Sequence, residues 1–216
     1  MLEDRRTRYV ALTGAVWAVL AVIGLFTGGG ETPKSDARPL KVIHYYVKHS
    51  SEIKLSAVFF FIAFLFFLLF CGTLRAFLRR DPANEPLATL MLVSGAAIAV
   101  VAGIGGGVEV ALAKNIEHLT PSASQALNVV ENEVFLPVLI AGFVFALCNG
   151  LAILRGSQLP RWLGWVSLVI AVLFVVPPVA IAALLLLVLW SLAVSIAMYL
   201  RWGSGGPEPE VVVAVA

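Results

Sequence analysis

Apolar residues occupy this chain in long blocks, and most of its charged residues fall in the gaps between them. A helix that crosses the roughly 30 Å hydrocarbon core of a bilayer needs about 20 such residues. Blocks near that length run over 9–26, closed by Gly28-Gly29-Gly30, and over 55–78. The second holds Phe59, Phe60, Phe61, Phe64, Phe66, Phe67 and Phe70, with no charge before Arg75. Further blocks cover 87–113, 134–154, 162–176 and 180–199, and only Pro177-Pro178 parts the last two. Neither proline can continue a helix, so the pair predicts a tight hairpin between two spans, with one kinked helix and a re-entrant end as the alternative. The pattern predicts an all-α fold: a polytopic transmembrane helix bundle of six spans, a single domain over 1–202, with a short amphipathic helix on its outer side.

That short helix is expected from Pro39 to His49. Leu40, Ile43 and Val47 fall on one face and Lys41, His44 and Lys48 on another, as in a helix that lies on the outer membrane surface or caps the bundle. A second polar piece opens at Thr120-Pro121, with proline at the first helical position and Ser122 and Gln125 imitating a capping box. Asn128, Glu131 and Asn132 then share a face at helical spacing. One long helix should carry this extension into the 134–154 span, bent at Pro137, which has no N–H to donate. The Gly/Pro/Glu-rich tail, 203–216, reads as disordered and cytoplasmic.

Composition strengthens the membrane reading. Of 216 residues 60% are apolar and 13% charged, where a soluble domain carries about 25% charged residues. A mean hydropathy of +0.96 leaves too little polar surface to coat a soluble globule. The apolar run after Arg5, Arg6 and Arg8 lacks a convincing cleavage pattern at Thr27-Gly28-Gly29, so it is read as a retained helix. With the amino terminus inside, Arg5, Arg6, Arg8, Arg75, Arg79, Arg80, Arg155, Arg161 and Arg201 fall on the cytoplasmic side. Lys34, Arg38, Lys41, Lys48, Lys54 and Lys114 fall outside. Nine against six, weighted by the two short inner loops, puts both termini in the cytoplasm. Trp162, Trp165 and Trp202 then sit at inner ends, where an amphipathic ring prefers the headgroup level. The scattered basic residues offer nucleic acid no stripe to bind. Cys71 and Cys148, both inside apolar blocks, read as packing residues rather than a disulfide.

Polar chemistry is sparse. Gly103 and Gly107 form a small-xxx-small pair suited to close helix packing, and Gly105-Gly106-Gly107 could instead unwind the helix and free carbonyls. Glu109 lies about 33 Å along a straight helix from Leu87, near the outer interface. There it either pairs with a group such as Lys114 or serves a site, because an ionisable group in a span is a functional candidate. Glu131 and Glu133 reach a similar depth but point about 200° apart, and Glu131, flanked by Asn128, Asn132 and Phe135, is the one expected to face the bundle. His44, His49 and His118 share that side without the spacing of a metal site. Asn149, Ser191 and Ser195 read as interhelical hydrogen-bond glue. No phosphate loop, nucleophile elbow, catalytic triad or in-span haem histidine appears, so neither an enzyme nor a cofactor is expected.

Arg5-Arg6 before a span, Leu127-Asn128-Val129-Val130-Glu131-Asn132 before Phe135-Leu136-Pro137, and Leu159-Pro160-Arg161-Trp162-Leu163-Gly164-Trp165 together are similar to a family of bacterial polytopic membrane proteins of unknown function. The likeness spans most of 5–201. It implies the bacterial cytoplasmic membrane and brings no activity or site residues. The residues themselves lead to an outward-opening vestibule lined by Glu109, Asn128, Glu131 and Asn132. Such a site would bind a small cationic or lipidic molecule for transport or sensing. The alternative is a structural or accessory subunit, packing on a membrane partner or a second copy of itself.

Overall fold

In the computed structural model, which describes residues 9–176 and 179–202, every regular element is helical. The α-helices are α1 (Thr13–Thr27), α2 (Pro39–Lys48), α3 (Ser50–Leu78), α4 (Glu85–Asn115), α5 (Pro121–Glu133), α6 (Phe135–Gly156), α7 (Arg161–Val175) and α8 (Ala180–Arg201). Short 3-10 turns at Pro82–Asn84 and Ile116–His118 flank α4. Four stretches are long and apolar enough to cross a membrane: Ser50–Leu78, Pro82–His118, Pro121–Gly156 and Ala180–Arg201. The other two expected spans form apolar helices of only 15 residues, α1 and α7. At 1.5 Å per residue each is about 22 Å long, short of the hydrocarbon thickness. The expected hairpin at Pro177-Pro178 and the expected disorder of 203–216 lie outside the described residues.

The six apolar helices pack in the cyclic order α1, α3, α4, α6, α7, α8, and α8 returns to α1. Aromatic rings fill the centre of this ring. Trp17 of α1 lies 5.0 Å from Phe67 of α3, Phe67 lies 5.7 Å from Phe145 of α6, and Phe145 meets Trp190 of α8 edge-on at 6.3 Å. A buried indole needs a partner for its N–H. Trp17 Nε1 donates to Ser191 Oγ at 2.9 Å, and Trp190 Nε1 donates to the Leu163 carbonyl at 2.9 Å. Ser195 Oγ donates to the Ala11 carbonyl and accepts from Ala15 N, satisfying groups at the start of α1. Ser191 and Ser195 thus bridge α8 to α1. Asn149 does not bridge helices: its amide donates to the Phe145 carbonyl one turn back at 2.9 Å, and its Oδ1 has no partner. The phenylalanines of α3 serve the same interior. Phe67 and Phe70 are buried and Phe60, Phe64 and Phe66 pack against the core, while Phe61 is 78% exposed.

A second, smaller core sits at one end of the ring, built from Val42, Tyr46, Ile53, Leu112, Ala113 and Ile116. It joins α2 and α5 to the ends of α3 and α4 as a cap. Three expectations change here. The inward face of α2 is Val42 and Tyr46, both fully buried, whereas Leu40 and Val47 are exposed. An apolar stripe chosen by hydropathy alone overlooked that a tyrosine ring buries as much area as an aliphatic side chain. The α5 cap is Thr120, whose hydroxyl accepts from Ala123 N at 3.3 Å, in place of the Ser122–Gln125 box. The polar extension and the span are two helices, parted at Val134. Pro137 lies three residues on, where its missing N–H and its ring disfavour a helical carbonyl at Glu133. In α4, Gly103 to Gly107 remain helical, so the glycines unwind nothing, and nothing lies within 4 Å of the Cβ positions of Gly103, Gly106 and Gly107.

Candidate functional site

The cap gathers the polar residues. On α4, Gly105 faces Val134, whose Cγ1 lies 3.2 Å from the glycine's Cβ position. One helical turn outward from Gly105 is Glu109, and one turn before Val134 is Glu131. The two carboxylates therefore reach the same level, close enough for the charge on Glu109 to act on Glu131. Among the described residues no Lys, Arg or His forms an ion pair with either one. Glu133 points away and is exposed. In the same cap His49 pairs with Glu52 at 2.5 Å.

Helix α2 adds two residues that sequence patterning did not single out, Tyr45 and Tyr46. Tyr46 is fully buried and its hydroxyl has no hydrogen-bond partner. Burial, then the charges of Glu131 and Glu109, push its phenol well above the ordinary value. Burial and the charges of Glu109, Glu131 and Glu52 push Tyr45 up to about 12. Its hydroxyl donates to the Gly30 carbonyl at 3.2 Å. Glu131, on α5 outside the apolar part of its stretch, is pushed up to about 7, first by burial and second by Glu109.

Asn128 and Asn132 hold the α1–α2 loop over this cluster. Asn128 Nδ2 donates to the carbonyls of Pro33 and Lys34, each at 3.1 Å, and Asn132 Nδ2 reaches the Pro33 carbonyl at 3.1 Å. The Asn132 amide also touches Glu131 Oε2 at 3.3 Å and the Asn128 carbonyl at 2.8 Å. Asn128 is fully buried, yet its Oδ1 has no partner. Of the four expected lining residues, Asn128 and Asn132 thus hold a loop beside Glu131, on which the charge of Glu109 acts. A cavity of about 200 Å³ lies beside the cap, bounded by Glu31, Thr32, Pro33, Lys34, Asp36, Ala37, Lys41 and Tyr45. Tyr45 is the residue shared between that cavity and the acidic cluster.

The chemistry of the cluster is acceptor-rich: two carboxylates, an amide oxygen and a phenol, with no ion-paired cation among the described residues. Among the described residues no three His, Cys, Asp or Glu side chains group as a metal site would require. Hydrogen-bond acceptors beside tyrosine rings suit an organic ammonium ion, which offers N–H donors and is attracted to aromatic faces. No known family model, curated protein or solved structure matches the chain.

Proposed function

We propose that this protein is a membrane-embedded receptor or transporter for a small organic ammonium ion, recognised at its outer face by Glu109 and Glu131. One observation carries the reading: two carboxylates lack a basic partner among the described residues, and in the same cap the fully buried Asn128 Oδ1 and Tyr46 hydroxyl are both unpartnered. Buried polar groups are almost always hydrogen-bonded. A primary ammonium would supply three donors to the two carboxylates and the amide oxygen. The cavity beside Tyr45 supports an approach from the outside.

Around this site the chain crosses the bacterial cytoplasmic membrane six times, with both termini inside. The sequence of six apolar helices and the arginine-bearing short loops support that arrangement. The two 15-residue helices would span by drawing the bilayer thinner around them or by extending through flanking residues. Melting of the purified full chain in mild detergent tests the site. Ethylammonium chloride should raise Tm relative to equimolar sodium chloride, and Glu109→Gln or Glu131→Gln should remove the difference. Equal melting in the two salts for the wild type would sink the reading.

A second reading, a subunit that acts by packing on a partner, draws support from the unfilled face of α4 at Gly103 and Gly107. Native mass spectrometry decides it: a strict monomer without co-purifying protein argues against it.

A further inference from the structure

The acidic pair also suggests how its ligand is coupled to the surroundings, an inference that rests on the ammonium-site reading above. Two carboxylates at one depth, partly buried and without a basic neighbour, cannot both stay charged at low cost, because like charge and desolvation each disfavour the second ionisation. Something positive must join them, and solvent supplies a proton when no ligand does. We propose that Glu109 and Glu131 form an exchange site that holds one proton or one organic ammonium ion, so that binding from the outer side expels the proton.

The exchange balances. The carboxyl O–H of the protonated partner breaks, its proton passes to bulk water, and the electron pair stays on the carboxylate. The ammonium takes the vacated place, and the total charge of pair plus occupant is unchanged. Among the described residues of the surrounding elements no basic group is ion-paired with either glutamate, and Lys41, His44, Lys48, Lys114 and His118 are exposed. From α2 come Tyr45 and Tyr46, both held in the neutral form by burial and by the two glutamates. Glu52 of α3 acts on Tyr45 and is itself paired with His49. The α1–α2 loop reaches Asn128 and Asn132 through the carbonyls of Pro33 and Lys34 alone, and the Lys34 side chain borders the outer cavity. Glu133 of α5 is exposed. Titration of Glu131 at about 7 makes the exchange operate near neutrality.

The test adds ethylammonium chloride, which stays charged at neutral pH, to the full-length protein in weakly buffered detergent at pH 7. Free protons are read with an electrode, and binding is read in parallel by the Tm shift. The expected result is a saturable acidification approaching about half a proton per chain, absent with sodium chloride and lost in Glu131→Gln. Glu85→Gln, at the opposite end of the bundle, should retain it. Should Glu131→Gln not fold, the wild type still decides: ethylammonium affinity must fall about tenfold per unit of pH below 7. A Tm shift without proton release, or an affinity indifferent to pH, overturns the exchange and leaves the ammonium site standing. Release that persists in Glu131→Gln also overturns it. No shift and no release overturns both.

Discussion

At Glu131, burial and the neighbouring Glu109 set how the folded chain responds to pH. The ordinary glutamate value is 4.5, and the folded value is about 7. Between them the fold holds a proton that the unfolded chain has released, so stability from this group is intact below 4.5 and is lost as pH rises through 7. Glu131→Gln, which mimics the protonated form, should match the wild type in Tm near pH 4.5, exceed it increasingly between pH 4.5 and 7, and keep a constant margin above pH 7. A difference that does not change between pH 4.5 and 7 would place the titration elsewhere. Glu109, Asn128, Glu131 and Asn132 stand out in the sequence because each is a polar residue beside an apolar block, where a bland explanation is scarce. Tyr45 and Tyr46 were not, since a tyrosine on an amphipathic helix looks the same whether its hydroxyl meets water or an orphaned site. Nor could spacing reveal that Asn128 and Asn132 spend their amides on the carbonyls of Pro33 and Lys34, a contact across about 95 residues of chain.

Helices α5 and α1 are tied together through that strap, and the tie can be cut at one residue. Asn128→Ala removes the donor to both carbonyls. Losing a buried hydrogen-bonding group costs about 1–3 kcal/mol. The freed loop should then expose the Lys34–Ser35 bond, so trypsin should cleave there several-fold faster than in the wild type. Unchanged cleavage would mean that the loop is held by something else. Two glycine pairs make an opposite test. At the α6–α7 crossing, a Cβ on Gly150 would lie 2.6 Å from Leu168 Cδ2 and 3.0 Å from the backbone oxygen of Gly164. Gly150→Val should therefore lower stability by about 1–3 kcal/mol through overpacking. Gly103→Ala and Gly107→Ala meet nothing and should gain up to about 1 kcal/mol from helix propensity. If they instead destabilise the protein, that face of α4 is occupied by another chain. From sequence, Gly103 and Gly107 looked like the packing pair and Gly150 passed unnoticed. Small residues at helical spacing permit close approach but do not say which helix arrives.

The whole molecule combines a ring of helices, an aromatic centre and a polar cap. All six apolar helices were legible, because unbroken hydrophobic blocks have few other uses. Their cyclic order was not, since lipid-facing and helix-facing apolar residues read alike. Trp17, Phe67, Phe145 and Trp190 stand in ring contact across the centre, so transport along the middle of the bundle would have to move those rings. Phe145→Ala should destabilise the chain by about 3–5 kcal/mol, as for other fully buried phenylalanines. At the far end from the cap, Arg75 and Arg79 share Glu85, while Arg80 stacks over Phe77 and Trp202 at 4.7 and 4.9 Å. Glu85 leaves the proposed orientation intact, because topology follows the count of Lys and Arg rather than net charge. The most direct measurement of the central claim is an experimental structure of the full chain with ethylammonium. Density is expected between the Glu109 and Glu131 carboxylates, within about 3 Å of Asn128 Oδ1 as hydrogen bonding requires. Carboxylates that point apart, or a lysine of the chain swung in between them, would contradict it.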